Sequence, residues 1–381
     1  MVSAEYADQA SGGIGTHIYC LSRELARRGH EVHLVTSVRR PPAMPPAPGM
    51  TLHLIPFFSG LLVRNFFWTA ASRLAMRKPE LRRADIVHAH APVCSLYPFV
   101  HKRSVPLATT FHTLFYKFRE VPQVDRGGVL LARVGEFSDR LALNSSDVVM
   151  ACSNSIRDEI LQDGFPPDRL LVVPNGVPME DYSTPRPEAE LEDLRRRYRL
   201  PATERLILTV GVLIPRKGID LLIEAVRRLD AVSPGVHGLI IVGDGPDRER
   251  LVQLSKDLEA RVAFTGRIPL EDLKRMYQVA DLFAMPSHYE GLPTVVLEAL
   301  SSARPVVGSN IPSLHGLLEG CGRLVERTPE AFATAIEELL ADDQRVRRMR
   351  AAALEAVRPY SWQRLAATVE KGYESAMAPG G

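Results

Sequence analysis

Four cysteines in 381 residues (Cys20, Cys94, Cys152 and Cys321) stand far apart, with no Cys-x-x-Cys pair and no metal-ligand spacing. That excludes a disulfide-framed mini-domain and a cysteine-bound metal module, and predicts reduced, mostly buried thiols. A surplus of either charge is also missing, since 47 basic against 45 acidic residues give a net charge of +2. Nucleic-acid-binding domains are usually clearly basic, so no nucleic-acid partner is expected. No apolar run is long enough to span a bilayer, and the first residues lack the charged-then-apolar pattern of a signal peptide. These absences predict a soluble, cytoplasmic protein.

What is present is an ordinary globular composition, 45% hydrophobic and 24% charged, on a chain whose length suits two domains. Short β-branched runs alternate with amphipathic stretches. Residues 32–36, 86–90, 106–110 and 148–152 read as buried strands, and helical periodicity covers 17–28 up to Gly29. The alternation restarts with strands at 205–210, 239–242, 262–265, 282–285 and 305–308, and a helix over 220–229. Such alternation predicts an α/β fold with parallel sheets covered by helices on both faces. A polar, proline-rich stretch over 174–201 separates the two series, which gives two Rossmann-like domains, 1–176 and 177–358. A last helical segment, 359–381, follows the break at Pro359-Tyr360-Ser361. Residues 41–48, with five prolines, read as a loop. A first strand should precede the Gly12-Gly13 turn, yet only Met1-Val2-Ser3 remain of one, which reads as a start placed late. Ligands of such sheets sit outside the strands' carboxyl ends, so facing domains would share a site in the cleft between them.

Several motifs fall at those carboxyl ends. Ser11-Gly12-Gly13-Ile14-Gly15 precedes a helix, and its glycines suit either close approach to an anion or a plain tight turn. His88-Ala89-His90 puts two imidazoles on one face of a strand, with no third metal ligand evident. His112 follows another strand, where a neutral imidazole can serve a sugar hydroxyl or the core. Arg216 and Lys217, in Pro215-Arg216-Lys217-Gly218, put two cations beside a helix start, a pairing suited to a diphosphate leaving group. Gly243-Asp244-Gly245-Pro246 closes a further strand, and no Walker spacing occurs, which argues against a P-loop hydrolase.

The most specific segment is Ser287-His288-Tyr289-Glu290-Gly291-Leu292-Pro293-Thr294-Val295-Val296-Leu297-Glu298-Ala299. Pro293 suits a first helical turn. Were 290–298 wholly helical, Glu290 and Glu298 would stand about 12 Å apart along the axis. That is too far for an acid–base pair, so the two carboxylates should grip different parts of one long ligand. The N–H groups of Gly291, Leu292, Thr294 and Val295 lie between them, a seat for a pyrophosphate.

With these pieces together, the chain resembles the retaining GT-B glycosyltransferases of family 4 over essentially its full length. The likeness is carried by Gly12-Gly13-Ile14, His88-Ala89-His90, Pro174-Asn175-Gly176-Val177, Pro215-Arg216-Lys217-Gly218, Gly243-Asp244-Gly245-Pro246 and Glu290-x7-Glu298. The resemblance implies an NDP-sugar co-substrate, UDP- or GDP-linked, with no cofactor and no metal. It implies Glu298 on the donor ribose, Glu290 on the donor sugar and Lys217 on the diphosphate. Gly12-Gly13 would close over the donor, His112 would lie near its sugar, and Arg267-Ile268 would contact its base. Many relatives carry Arg directly after the glycine matching Gly211, whereas this chain has Val212, with Arg216 or the helix N-terminus left to compensate.

The acceptor is read from weaker signals. Residues 57–83 interleave Phe57, Phe58, Phe66, Phe67 and Trp68 with Arg64, Arg73, Arg77, Lys78, Arg82 and Arg83. Such a segment either lies on an anionic membrane at the inner face or packs on its own domain with a solvated basic side. Gly13-Ile14-Gly15-Thr16-His17-Ile18-Tyr19 also looks similar to the phosphatidylinositol N-acetylglucosaminyltransferase branch, which brings in a lipid-linked inositol acceptor. Two other functions share the fold, a sugar-nucleotide epimerase and a nucleotide-sugar-binding protein without transfer. Glu290-x7-Glu298 argues against the first and donor turnover would exclude the second.

Overall fold

The computed structural model describes residues 1–3, 13–37, 45–55, 71–72, 74–91, 105–112, 114 and 126–378. They form two compact units, Met1–Gly176 with Trp362–Gly381, and Val177–Ser361. Gly12, Cys94, residues 41–44 and most of the basic-aromatic segment 57–83 lie outside the described residues.

In the first unit the strands are β1 (Val32–Thr36), β2 (Met50–Leu54), β3 (Val87–Ala91), β4 (Leu107–Phe111), β5 (Val148–Ala151) and β6 (Leu170–Val172). Every pairing is parallel, with β1 on β2 and the run β3-β4-β5-β6. Val2 joins the two runs, bridging in parallel to Val35 of β1 and Ala89 of β3. Its N–H donates to the His88 carbonyl and its carbonyl accepts from His90, so Met1-Val2-Ser3 fill the place of a central strand. Strands β3, β4 and β5 are buried throughout, as parallel strands covered on both faces must be. Gly29, at φ 98°, sits in the left-handed cap position just past the helix Gly13–Arg27.

The helix Trp362–Met377 belongs to this first unit. Trp362, Leu365, Ala366, Val369 and Tyr373 bury against Ala108, Val148 and Met150. The fit is tight at two glycines: a Cβ on Gly176 would lie 2.6 Å from the Trp362 ring, and one on Gly372 would lie 2.6 Å from the Met150 methyl.

The second unit carries β7 (Arg205–Val210), β8 (His237–Val242), β9 (Val262–Gly266), β10 (Leu282–Met285), β11 (Val306–Ser309) and β12 (Gly322–Val325). They pair in parallel in the order β12-β11-β10-β7-β8-β9. The helix Ile219–Val232 turns Ile219, Leu222, Ile223, Val226 and Leu229 inward, the i, i+3, i+4, i+7 pattern of a core-facing stripe. The proline-rich stretch 174–201 is not bare linker, for it holds the helices Met179–Ser183 and Glu188–Arg197. The second starts with Glu188 and Glu190 and ends in Arg195, Arg196 and Arg197, which complements its dipole, while Leu191 and Leu194 anchor it.

The order places β7 beside β10, the point where the winding direction reverses and loops open at the carboxyl edge. Neighbouring loops are locked there by backbone contact. Gly243 (φ 131°) and Gly245, after β8, lie where any Cβ would overlap the carbonyls of Gly211 and Leu213 after β7. Leu213 N–H donates to the Asp244 carbonyl at 3.1 Å, and Asp247 N–H to the Leu213 carbonyl at 3.0 Å. Gly243→Ala should therefore lower stability by about 1–3 kcal/mol through strain and displacement of both loops. Chemical denaturation checks this, and an unchanged midpoint would contradict the packing described.

Candidate active site

The loop leaving β7 runs from Gly211 to Gly218 and contains a 3-10 turn, Pro215–Lys217. Gly218 is left-handed (φ 64°), and a Cβ there would stand 2.6 Å from the Pro286 carbonyl oxygen. Only glycine lets this loop lie against the segment leaving β10. His288 N–H donates to the Arg216 carbonyl at 3.0 Å, which fastens the two segments together.

Three predicted residues meet at that seam. Lys217 Nζ lies 2.5 Å from Glu290 Oε1, Arg216 approaches Glu290 Oε2 at 3.4 Å, and Arg216 also donates to the Tyr289 carbonyl. All three side chains are largely buried. Burial alone would push the Glu290 carboxyl up, but Lys217 and Arg216 outweigh it and hold the group below its ordinary value. Two cations against one carboxylate leave the seam electropositive. Arg327, whose Nε donates to the Pro286 carbonyl at 2.9 Å, adds a third cation nearby. Val212, half exposed, adds none on the same loop.

The helix after this segment is Thr294–Ser301, so 290–298 is not one helix, as the 12 Å spacing assumed. Pro293 is its N-cap residue, extended at φ −74° and ψ 113°, not a residue of the first turn. A proline at that position cannot cap with its side chain, and no side chain of the cap bonds the first N–H groups. The turn Glu290-Gly291-Leu292-Pro293 thus delivers Glu290 to the cations and leaves the positive end of the helix beside them.

Glu298 occupies the same helix but a different environment. It is buried, and Tyr277 donates its hydroxyl to Glu298 Oε2 at 2.7 Å. The Tyr277 ring stands edge-on to Tyr182, with centroids 5.8 Å apart. Burial raises the Glu298 pKa to about 6, with the tyrosine hydrogen bonds and Lys274 partly offsetting it. The two carboxylates therefore have opposite surroundings, one held charged by cations and one kept in an apolar, hydroxyl-lined slot.

The remaining predicted residues fall into three groups. Gly243 is explained by loop packing, and the Asp244 carboxylate accepts from Gly245 N–H at 2.9 Å. Arg267 is exposed and Ile268 half-buried, just after β9 at the same edge of the sheet. In the first unit, Gly13 opens the helix Gly13–Arg27, and His112 follows β4. His112 Nε2 lies 3.2 Å from His90 Nδ1, and its Nδ1 lies 3.3 Å from Asn175 Oδ1. Burial lowers the His112 pKa to about 4, which makes it a neutral imidazole. Sequence reasoning missed Tyr277, Tyr182 and Asn175 as partners, and His17 as a neighbour of His90 and His112. Asn175 and His17 had a signal, lying within Pro174-Asn175-Gly176-Val177 and Gly13-Ile14-Gly15-Thr16-His17-Ile18-Tyr19, whereas Tyr277 and Tyr182 had none.

Comparison with known proteins agrees with this layout. Residues 11–181 match the family model described as Glycosyltransferase Family 4, and residues 191–356 match Glycosyl transferases group 1. A D-inositol 3-phosphate glycosyltransferase from Acidothermus cellulolyticus is 30% identical over 400 residues, covering 97% of this chain and 86% of that protein. Among solved structures, a sucrose-phosphate synthase from Thermosynechococcus elongatus superposes with TM-score 0.77 at 24% identity, covering 99% of this chain and 98% of its own. The Anabaena protein HepE, solved with UDP-glucose, gives TM-score 0.75 at 19% identity over 98% of each chain. Two parallel α/β units with this set of neighbours define a glycosyltransferase of the GT-B architecture. Within that class, the chain belongs to glycosyltransferase family 4.

The Glu298 environment generates a stability prediction. A carboxyl whose folded pKa lies above its unfolded value near 4.5 destabilises the fold at pH above 6, and the penalty vanishes as pH falls below 4.5. At about 1.4 kcal/mol per pKa unit, the penalty at pH 8 is about 2 kcal/mol. Glu298→Gln, which keeps an acceptor for Tyr277, should raise the melting temperature at pH 8, with the gain shrinking toward pH 4.5. A gain independent of pH, or a loss at pH 8, would contradict the assignment.

Proposed function

We propose that the protein is a retaining, metal-independent glycosyltransferase that moves a hexosyl or N-acetylhexosaminyl group from a UDP- or GDP-sugar to an acceptor hydroxyl. The observation that carries this reading is the pairing of Lys217 and Arg216 with Glu290 at the switch point, beside an uncapped helix N-terminus. A nucleotide sugar offers one group for each feature. The diphosphate would take Lys217, Arg216 and the N–H groups around Gly291, Leu292 and Thr294. Its arrival competes for the cations that hold Glu290 and turns that carboxylate toward the sugar hydroxyls. Glu298 would accept from the ribose hydroxyls, with Arg267 and Ile268 at the base and Gly12-Gly13 closing over the donor, as the family resemblance implies.

Transfer then follows as a front-face displacement. The bond from the anomeric carbon to the diphosphate oxygen breaks, and the acceptor oxygen bonds to the same face of that carbon. The acceptor proton passes to the departing phosphate oxygen. Cations and helix N–H groups stabilise the charge that develops there, with no need for a metal. By the family resemblance His112 would hydrogen-bond the donor sugar, and an imidazole kept neutral by burial would not repel an oxocarbenium-like centre.

For the acceptor, the named activity of the A. cellulolyticus relative favours an inositol phosphate. A lipid-linked inositol, with peripheral contact at the inner membrane face, is the second acceptor class, prompted by the interleaved residues 57–83. Both acceptors are assayed with each donor, and the product's anomeric configuration is read by NMR. Retention with no covalent glycosyl-enzyme is expected, and Lys217→Ala should lower kcat by about 100–1000-fold. An inverted product, a trapped glycosyl-enzyme, or Lys217→Ala at full activity would overturn the mechanism.

A further inference from the structure

His17, His90 and His112 converge in the first unit from the helix Gly13–Arg27, from β3 and from the end of β4, all buried. The geometry points to a trihistidine site for a borderline divalent cation of the Zn2+ class. Among the described residues these are the only three metal-ligating side chains so grouped, with one nitrogen from each all within 4.8 Å of one another. His90 Nδ1 and His112 Nε2 are 3.2 Å apart. Two imidazoles on a tetrahedral zinc, at about 2.0–2.1 Å each, stand about 3.3 Å apart. The third nitrogen, on His17, lies within 4.8 Å of the other two and must approach by up to about 1.5 Å to reach that spacing.

Hydrogen-bond accounting supports an occupant. Asn175 Oδ1 accepts from His112 Nδ1–H, so His112 Nε2 presents a lone pair toward His90. The same bond is the kind of outer-shell contact that fixes a ligand's tautomer. Without an ion, His90 Nδ1–H donates to that lone pair, and an ion bound between the two nitrogens takes the place of this proton, while His90 Nε2 is buried and unpartnered in either state. Both nitrogens of His17 are also buried without a hydrogen-bond partner, Asn175 being close enough to bias its protonation but outside bonding geometry. His88 supplies the contrast. It stacks on His90 at 4.4 Å, yet both its nitrogens reach hydroxyls at 2.7 Å, Tyr373 and Thr110, so it is spent. Burial lowers the pKa of His17, His90 and His112, so all three are neutral and able to ligate without losing a proton. Since His112 is also assigned to transfer above, the ion is an occupant that excludes sugar from this imidazole, a corollary that rests on that assignment.

The test uses the full chain stripped with chelator, titrated with Zn2+ against a chromogenic indicator, and separately loaded with Co2+. One equivalent of Zn2+ should bind, and the Co2+ form should show the intense visible bands of a tetrahedral imidazole site. His17→Ala should weaken binding by about a hundredfold or more, since even outer-shell losses cost 10–100-fold. His315→Ala, a histidine paired with Asn310 in the second unit, should bind like wild type. Failure of wild type to bind, a weak octahedral Co2+ spectrum, or unchanged affinity in His17→Ala would overturn the proposal. The spectrum needs no variant, so the test holds even where His17→Ala does not fold. Nucleotide binding by the second unit is untouched by any of these outcomes.

Discussion

The second unit is organised around a carboxylate held between two cations at the edge of a buried parallel sheet. Glu290 would be strongly disfavoured as a buried anion by itself, and Lys217 with Arg216 reverses that cost. The arrangement requires the loop after β7 to touch the segment after β10. That contact in turn requires a left-handed glycine at 218 and the strand order that sets β7 beside β10. Sheet topology, loop conformation and site charge are therefore linked steps of one construction. Substituting the partner of Glu290 leaves a stranded charge, which is why the pair should matter to stability as well as to transfer.

The same helix shows how one motif creates two kinds of carboxylate. Glu290 precedes the N-terminus and stays ionised among cations, while Glu298 lies about one turn inside against Tyr277 in an apolar slot. Groups whose surroundings drive their pKa values apart commonly divide the work of a site. Here the division suits an elongated ligand that is anionic in the middle and hydroxylated at both ends. Val212 puts no cation at its place on the β7 loop, so the positive groups of the seam are Arg216, Lys217, Arg327 and the open helix end.

Much of this was legible in the sequence, and the failures have physical causes. Strands β1, β7 and β10 were legible to the residue because they are short, largely buried runs rich in Val, Leu and Ile or, in β10, wholly apolar. Strands β2, β6 and β12 were not read at all. Each is a sheet edge and only partly buried: β2 and β12 mix polar and apolar residues, and β6 is apolar but only three residues long, too short to show a period. Helix Glu188–Arg197 was hidden by flanking prolines, though its charge gradient was visible. Within the site, residue types and loops were readable from Arg216, Lys217, Glu290 and Glu298. Their partners were not, because Tyr277 and Glu298, or His17 and His90, meet only through tertiary packing.

The central claim is that the second unit binds a nucleotide sugar at its switch point. Thermal-shift titration of wild type and Glu298→Ala against UDP-, GDP- and ADP-sugars tests it most directly, because a ligand specific to the native state raises the melting temperature by mass action. The account predicts that a UDP- or GDP-sugar stabilises wild type in a saturable manner and that Glu298→Ala loses most of that gain. No shift with any of the three, or an undiminished shift in the variant, would contradict it.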